Sequence, residues 1–443
     1  MLCDCGRVHA ANVAKTIRCK CGASMQLDVP APLPLPILDL VQSRRAACAS
    51  CAENENGLCL ALTQQGKPGV IEPGIKMPDA RCPLKKWGFW PGDGVGFLVT
   101  AHLKTGGTEV WHRTLLPRLD TVSGLVVTNP EMATGDPAKL GGCQFGAGPK
   151  AARRLIDACH TLVVWGIGNQ LGSLLASAKN RPRVISVSHC DHRSDWTRQY
   201  MADQARWTDQ CVYICPTGIQ TVPASHRETA VLIPNAVDPL RLQPSRAKDV
   251  IRKELGIDAG DHVCLVVSRI TPEKRIHLLC EAMQHLPSHY RLLIAGPPNK
   301  FEPDYYSSIA QASEASNGRI KLLDPIEHPG DLLSIASHAL SASSYEGYGL
   351  SMAEAIHAGV PLIATATGLL ETFPGAAKIV PMSETAKQWA AAILEDDPTS
   401  RIQAAKQLLQ EHHSVDQFVA KWSELLAVFH PGNLPGSEPV ILS

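Results

Sequence analysis

Two glutamates stand eight positions apart in the stretch "SSYEGYGLSMAEAIHAG", residues 343–359: Glu346 and Glu354, with Gly347 and Gly349 between them. The glycines discourage a helix from running through Glu346. A helix is expected from about Ser351 to a stop at Gly359, which leaves Glu346 on a glycine-rich loop and Glu354 within the helix. The loop amides, among them those of Gly349 and Leu350, and the helix's N-terminal dipole favour an anion such as phosphate. Within that helix Met352, Ala355, Ile356 and Gly359 share one face, and Glu354 lies roughly opposite. Read alone, Glu354 faces either solvent or a water-filled cleft, and the base rate for glutamate favours solvent.

Two further segments carry the complementary charge and backbone. In "VSRITPEKRIHLLCEAM", Arg269 and Lys274 flank a turn containing Pro272, between a strand and a helix. Two cations converging there suit a phosphate. In "HLKTGGTEVWH", Gly106 and Gly107 let a loop approach a ligand closely before a helix begins. Neither segment is a dinucleotide fingerprint or a P-loop, and solvated lysines or plain loop glycines are the commoner explanation of each alone.

A third chemistry is possible at the N-terminus. Eight of the fifteen cysteines fall in the first 82 residues. Cys3 and Cys5, followed by Cys19 and Cys21, form two symmetric Cys-x-Cys-Gly turns, a set of four thiolates suited to tetrahedral zinc, with free thiols as the alternative. The usual knuckle has two intervening residues rather than one. A looser second group, Cys48, Cys51, Cys59 and Cys82, accepts either zinc or an iron–sulfur cluster, and zinc is the expected structural staple for a section with little core. The seven cysteines from Cys143 to Cys280 are scattered, as buried small hydrophobes would be. His192, His412 and His413 read as ordinary surface or core histidines rather than ligands.

The elements that must position these groups follow from the pattern of apolar runs. "VGFLVTAH", "SGLVVTN", "HTLVVWGIG", "RVISVSH", "QCVYICP" and "TAVLIPN" are strand-length, β-branched and closed by polar or turn residues. The rhythm restarts with "HVCLVVSRI", "YRLLIAG", "RIKLLD", "HALSAS" and "VPLIAT". Strands alternating with amphipathic stretches mean parallel βαβ units, here in two α/β domains. A zinc-ribbon-like module over 1–27 and a Pro-rich linker over 28–37, "DVPAPLPLP" at its heart, come first. A second cysteine-rich module over 38–91 follows. The α/β domains are expected over 92–244 and 245–413, a C-terminal helix over 414–430 capped by Ser414, and a loose tail over 431–443. In that helix Phe418, Trp422 and Leu425 fall at helical spacing.

Bulk composition narrows the partners. The chain has 443 residues, 44% hydrophobic and 19% charged, which is globular composition and too long for one core. Lys+Arg and Asp+Glu both number 42, so net charge gives no global argument for nucleic acid or an acidic membrane. No apolar run reaches the roughly 18 residues of a membrane helix, and "MLCDCGRVHA" has no apolar signal core, so a cytoplasmic location is expected.

Taken together the segments resemble the retaining glycosyltransferases of the glycogen-synthase-like superfamily, glycosyltransferase family 4. The resemblance runs over about residues 95–428. It is carried in order by "TGGTE" at 105–109, "VSHCD" at 187–191, "VLIPNAVDPLRLQP" at 231–244, "VSRITPEKRIHLL" at 267–279, "LLIAGPP" at 292–298, and the stretch from Glu346. Glu346 and Glu354 reproduce that family's Glu-x7-Glu spacing. The resemblance implies a GT-B type fold of two facing Rossmann-like domains, with a nucleoside-diphosphate sugar, UDP- or GDP-linked, as donor on the second. It implies that Arg269 and Lys274 grip the diphosphate, Glu354 bonds the ribose hydroxyls and Glu346 contacts the transferred sugar. Gly106, Gly107, Gly349 and Leu350 would line phosphates and sugar, Ile326 would border the base, and His189 would stand near the reacting carbon. Fixed cations and amides would stabilise the departing diphosphate without a catalytic metal.

Three departures are visible: Tyr348 for the commoner phenylalanine, Asp324 and Pro325 where a glycine is frequent, and "ATGLLE" where two glycines are usual. The acceptor stays open among glycan, lipid carrier, protein and modified nucleic acid. The alternatives are a non-catalytic zinc-containing binding module with a vestigial transferase domain, and a related two-domain epimerase or phosphorylase.

Overall fold

The computed structural model describes residues 94–99, 106–119, 122–129, 144–167, 170–176, 178–179, 181–189, 195–326 and 328–429, with four short strands before them. Those four are β1 (Thr16–Arg18) paired antiparallel with β2 (Ser24–Gln26), and β3 (Asn54–Glu55) paired antiparallel with β4 (Leu58–Cys59). The side chains of Cys3, Cys5, Cys19, Cys21, Cys48, Cys51, Cys59 and Cys82 lie outside the described residues, as do the Pro-rich linker and the tail. Among the described residues no helix is long and apolar enough to cross a membrane.

The chain splits into two compact units, Met1–Leu103 with Leu116–Arg183, and Lys104–Leu115 with Val184–Ser443. In the first, β5 (Gly94–Val99), β6 (Val122–Val127), β7 (Gln144–Ala147) and β8 (Cys159–Trp165) run parallel in the order β8-β5-β6-β7. All six residues of the inner strand β5 are buried. A parallel strand covered on both faces must be apolar throughout, and "GVGFLV" is.

The second unit holds three further parallel strands, β9 (Arg183–Ser188), β10 (Gln210–Tyr213) and β11 (Val231–Leu232). It also holds a complete six-stranded parallel sheet: β12 (His262–Val267), β13 (Tyr290–Ala295), β14 (Ile320–Leu323), β15 (His338–Ser341), β16 (Leu362–Ala364) and β17 (Lys378–Ile379). Its order is β14-β13-β12-β15-β16-β17, a doubly wound Rossmann-like arrangement. The order reverses between β12 and β15, the switch point of the sheet, where the loops leaving these two neighbours meet at the carboxyl edge. Arg269 and Lys274 leave β12, and Glu346 leaves β15. Two parallel-sheet α/β domains are therefore present, as the apolar rhythm predicts.

Three helices matter for the site: α1 (Gly107–Leu115), α2 (Leu350–Ala358) and α3 (Val415–Val428). Helix α2 begins one residue before the expected Ser351 and ends at Gly359, whose φ of 76° provides the left-handed cap. In α3 the Ser414 hydroxyl caps the Gln417 amide, and Phe418, Trp422 and Leu425 are buried. Within the α/β sheets two strands are not anticipated by the sequence pattern, β7 and β17; nor are the four short strands β1 to β4. Cys159, Cys211, Cys215, Cys264 and Cys280, five of the seven scattered cysteines, are buried free thiols.

Candidate functional site

The Glu346 carboxylate is the junction of the two loops at the sheet's reversal point. Its Oε1 accepts from Lys274 Nζ at 2.6 Å and from Ser343 Oγ at 2.7 Å. The Lys274 and Glu346 side chains are 12% and 13% exposed, so this is a largely buried ion pair. The backbones are stitched as well: the Ser344 amide donates to the Glu273 carbonyl at 2.7 Å. Lys274 closes a 3-10 turn, Pro272–Lys274, in which Pro272 sets the first position. Arg269 is different. Its side chain is 60% exposed and stands 3.6 Å from Glu273. Of the two cations read from the sequence, one is held on a carboxylate and the other is open to solvent.

Glycine geometry holds the loop in place. Gly349 has φ 83° at the start of α2, and Gly368 has φ 57°. A Cβ on Gly368 would lie 2.5 Å from the Tyr348 carbonyl oxygen and 3.0 Å from Glu346 Cβ, so only glycine allows the second loop to support the first so closely. The Leu369 amide donates to that Tyr348 carbonyl at 2.9 Å. The Tyr348 hydroxyl makes a 2.8 Å hydrogen bond with His413 Nδ1, a partner that a phenylalanine would leave without it.

Glu354 is not a surface charge. It is 3% exposed, on a helix whose Met352, Ala353, Ala355 and Ile356 are buried too. The solvent-facing reading fails because α2 is enclosed nearly all round, which a helical wheel cannot disclose. The Glu354 Oε1 accepts from Arg241 Nε at 2.8 Å. Burial pushes its carboxyl up, and the Arg241 charge and hydrogen bond oppose that shift. Glu346 and Glu354 thus have separate cationic partners, and no hydrogen bond joins them. Arg241 lies inside the quoted segment "VLIPNAVDPLRLQP", but nothing local marks it: its partner is 113 positions away.

Near the start of α1, Gly106 has φ 151°, and a Cβ there would lie 2.3 Å from Glu109 Oε2. Glu109 is 7% exposed, and burial pushes its carboxyl up to about 7 against the pull of a backbone amide, Arg113 and Arg269. Sequence reasoning quoted Glu109 within "TGGTE" without giving it a role. A carboxylate two residues into a helix that starts on paired glycines was the available signal. Gly107 opens α1 with nothing within 4 Å of its Cβ position. His112 is fully buried, its Nδ1 2.8 Å from the Thr108 carbonyl. His189 follows β9 and packs edge-on against Trp111 at 5.1 Å. Burial, with the neighbouring His112, pushes the His189 imidazole down to about 3, so it is neutral at physiological pH. Trp111 also meets Trp422 of α3 at 5.3 Å. Leu350 is the first residue of α2 and half-buried, and Ile326 is half-buried in the loop after β14.

Among the described residues, no cluster of three or more His, Cys, Asp or Glu side chains is placed to hold a metal. The cysteine groups lie outside those residues.

At the strand-order reversal stand a partly open arginine, a lysine–glutamate pair and the glycine-led start of α2. This set can hold an anion and orient hydroxyl groups beside it.

Residues 247–412 match the family described as "Glycosyl transferases group 1". Similar curated proteins include the D-inositol 3-phosphate glycosyltransferase of Corynebacterium glutamicum, 28% identical over 199 residues, which are 42% of this chain and 47% of that one. That of Corynebacterium efficiens is 30% identical over 169 residues, 35% of this chain and 39% of that one. The chain thus spans less than half the length of these relatives. Among solved structures, Anabaena HepE in complex with UDP is similar at TM-score 0.63 and 17% identity, covering 75% of this chain and 99% of that one. Sucrose-phosphate synthase from Thermosynechococcus elongatus is similar at TM-score 0.61 and 17% identity, covering 75% and 98%. These structures speak to fold, and the fold is of the GT-B type.

Proposed function

We propose that the protein transfers a hexose from a nucleoside-diphosphate sugar to an acceptor, with retention at the anomeric carbon and without a catalytic metal. The observation that carries this reading is the buried Lys274–Glu346 pair at the strand-order reversal, with Arg269 open beside it. Cleaving a sugar–phosphate bond builds negative charge on the diphosphate and positive character on the anomeric carbon. Arg269 and Lys274 stabilise the first, aided by the amides of Gly349 and Leu350 and by the Gly106–Gly107 loop. The two cations, one held and one open, supply the charge that a metal would otherwise bring.

In this reading Lys274 arrives at the diphosphate already oriented by Glu346, which contacts the transferred sugar. Glu354 receives the ribose hydroxyls, Ile326 borders the base, and neutral His189 stands beside the reacting carbon as a hydrogen-bonding group. The nucleotide is supported by the fold's likeness to HepE, solved with UDP-glucose, and uridine is therefore the first base to test. Residues 92–244 would serve the acceptor and 245–413 the donor. The cysteine-rich sections over 1–27 and 38–91 would hold zinc, or an iron–sulfur cluster in the second, and help select the acceptor in the cytoplasm.

The test is donor turnover by Arg269→Ala and Lys274→Ala in the full chain. Both should lose most activity while remaining folded by circular dichroism. Unchanged turnover in both would sink the assignment.

A further inference from the structure

We propose that Arg241 is a positioning residue of the donor site, fixing the Glu354 carboxylate as the acceptor for the two vicinal ribose hydroxyls of the nucleotide. This deepens the donor reading above and rests on it.

The geometry is specific. Arg241 reaches Glu354 through Nε alone, at 2.8 Å to Oε1. Among the described residues the structure gives Glu354 no second hydrogen bond, so Oε2 keeps its lone pairs for a ligand. The glutamate side chain is 4% exposed and the arginine side chain 18%. A carboxylate so enclosed loses its ionised form unless a cation opposes desolvation, and Arg241 is the charge that does so here. Ionisation matters for the recognition itself. A carboxylate offers two acceptor oxygens to a diol, whereas a protonated carboxyl turns one of its oxygens into a donor.

The backbone that presents Arg241 is clamped on both sides. Asp238 caps the 3-10 turn Pro239–Leu242 by accepting from the Leu240 amide at 3.1 Å. The turn's other end lies against Gly330, where a Cβ would come 2.3 Å from the Leu242 carbonyl oxygen. Just beyond, Asp331 accepts from the Ser245 amide at 2.6 Å and from Arg246 Nε at 2.8 Å. Arg241 is thus delivered from a rigid support, as a residue that orients another should be.

A purely structural ion pair would tie the turn to α2 and affect every ligand alike. Calorimetric titration separates the two roles. Full-length wild type, Arg241→Gln, Arg241→Lys and Glu354→Gln are titrated with UDP and with 2′,3′-dideoxyuridine diphosphate, and with the guanosine pair in parallel. Wild type should prefer the ribonucleotide by about 10- to 100-fold, the range for hydrogen bonds to a charged group. Arg241→Gln should bind the ribonucleotide about 10-fold more weakly, bind the dideoxy analogue as wild type does, and resemble Glu354→Gln. Arg241→Lys, which keeps the charge, should retain part of the preference and serves if the glutamine variant does not fold. Equal weakening of ribo and dideoxy ligands, or full discrimination retained without Arg241, overturns the proposal. Wild type that binds neither nucleotide overturns the donor reading itself.

Discussion

Replacing Lys274 tests whether the pair at the strand-order reversal is a coupled unit. Removing one partner of a buried ion pair costs about 3–5 kcal/mol, because the other charge is left without compensation. Here the two side chains are 12% and 13% exposed. Ser343 also continues to donate to Glu346 Oε1 at 2.7 Å after the lysine is gone. Both features place Lys274→Met nearer ~2–3 kcal/mol of lost stability. Glu346→Gln should cost a similar amount. The double variant should be less damaged than the sum, with a coupling energy of about 2 kcal/mol. Urea unfolding of the four proteins measures this. A coupling energy below about 0.5 kcal/mol would mean that the two groups do not act together in solution, and the argument for a pre-oriented phosphate-binding lysine would fall with it.

Two glycines separate folding from function. Gly368→Ala should lose more than about 2 kcal/mol of stability, because φ 57° is strained for alanine and its Cβ would meet the Tyr348 carbonyl. Gly107→Ala should leave stability unchanged or raise it by up to ~0.5 kcal/mol, since its Cβ meets open space at a helix start, while transfer falls if the loop lines the donor. A stable, fully active Gly368→Ala protein would refute the loop packing. The third prediction concerns pH. Burial raises the Glu109 carboxyl in the folded protein to about 7, from an ordinary value of 4.5. The folded state therefore binds the proton more tightly, and the stability this contributes is present below pH 4.5 and lost as pH rises through 7. Glu109→Gln removes that loss, so its stability relative to wild type should rise by about 2–3 kcal/mol from pH 5 to pH 8. A flat difference in chemical denaturation across that range would contradict it.

The strands were legible where burial on both faces forces an unbroken apolar run. "HVCLVV" and "YRLLIA" became β12 and β13. β7 escaped because "QFGA" offers one large apolar residue beside a glycine, and β17 because two residues carry no period. The start and stop of α2 followed from Gly349 and Gly359, whose left-handed φ values are local properties. What the order of residues did not disclose were the partners. Lys274 and Glu346 meet across 72 positions because two neighbouring strands end there. Arg241 meets Glu354 across 113 positions, and so a carboxylate that reads as solvent-facing is enclosed. Helical spacing orients a side chain on its own helix; it says nothing about which distant segment covers it.

The central claim is donor chemistry, and a donor screen tests it most directly. The full-length protein is incubated with a panel of UDP- and GDP-linked hexoses, with and without a mixed set of acceptor alcohols, and released nucleoside diphosphate is quantified. The account predicts release from one donor, stimulated by acceptor, undiminished by a metal chelator and largely lost in Arg269→Ala. No release from any nucleotide sugar, or release that Arg269→Ala leaves intact, would contradict it.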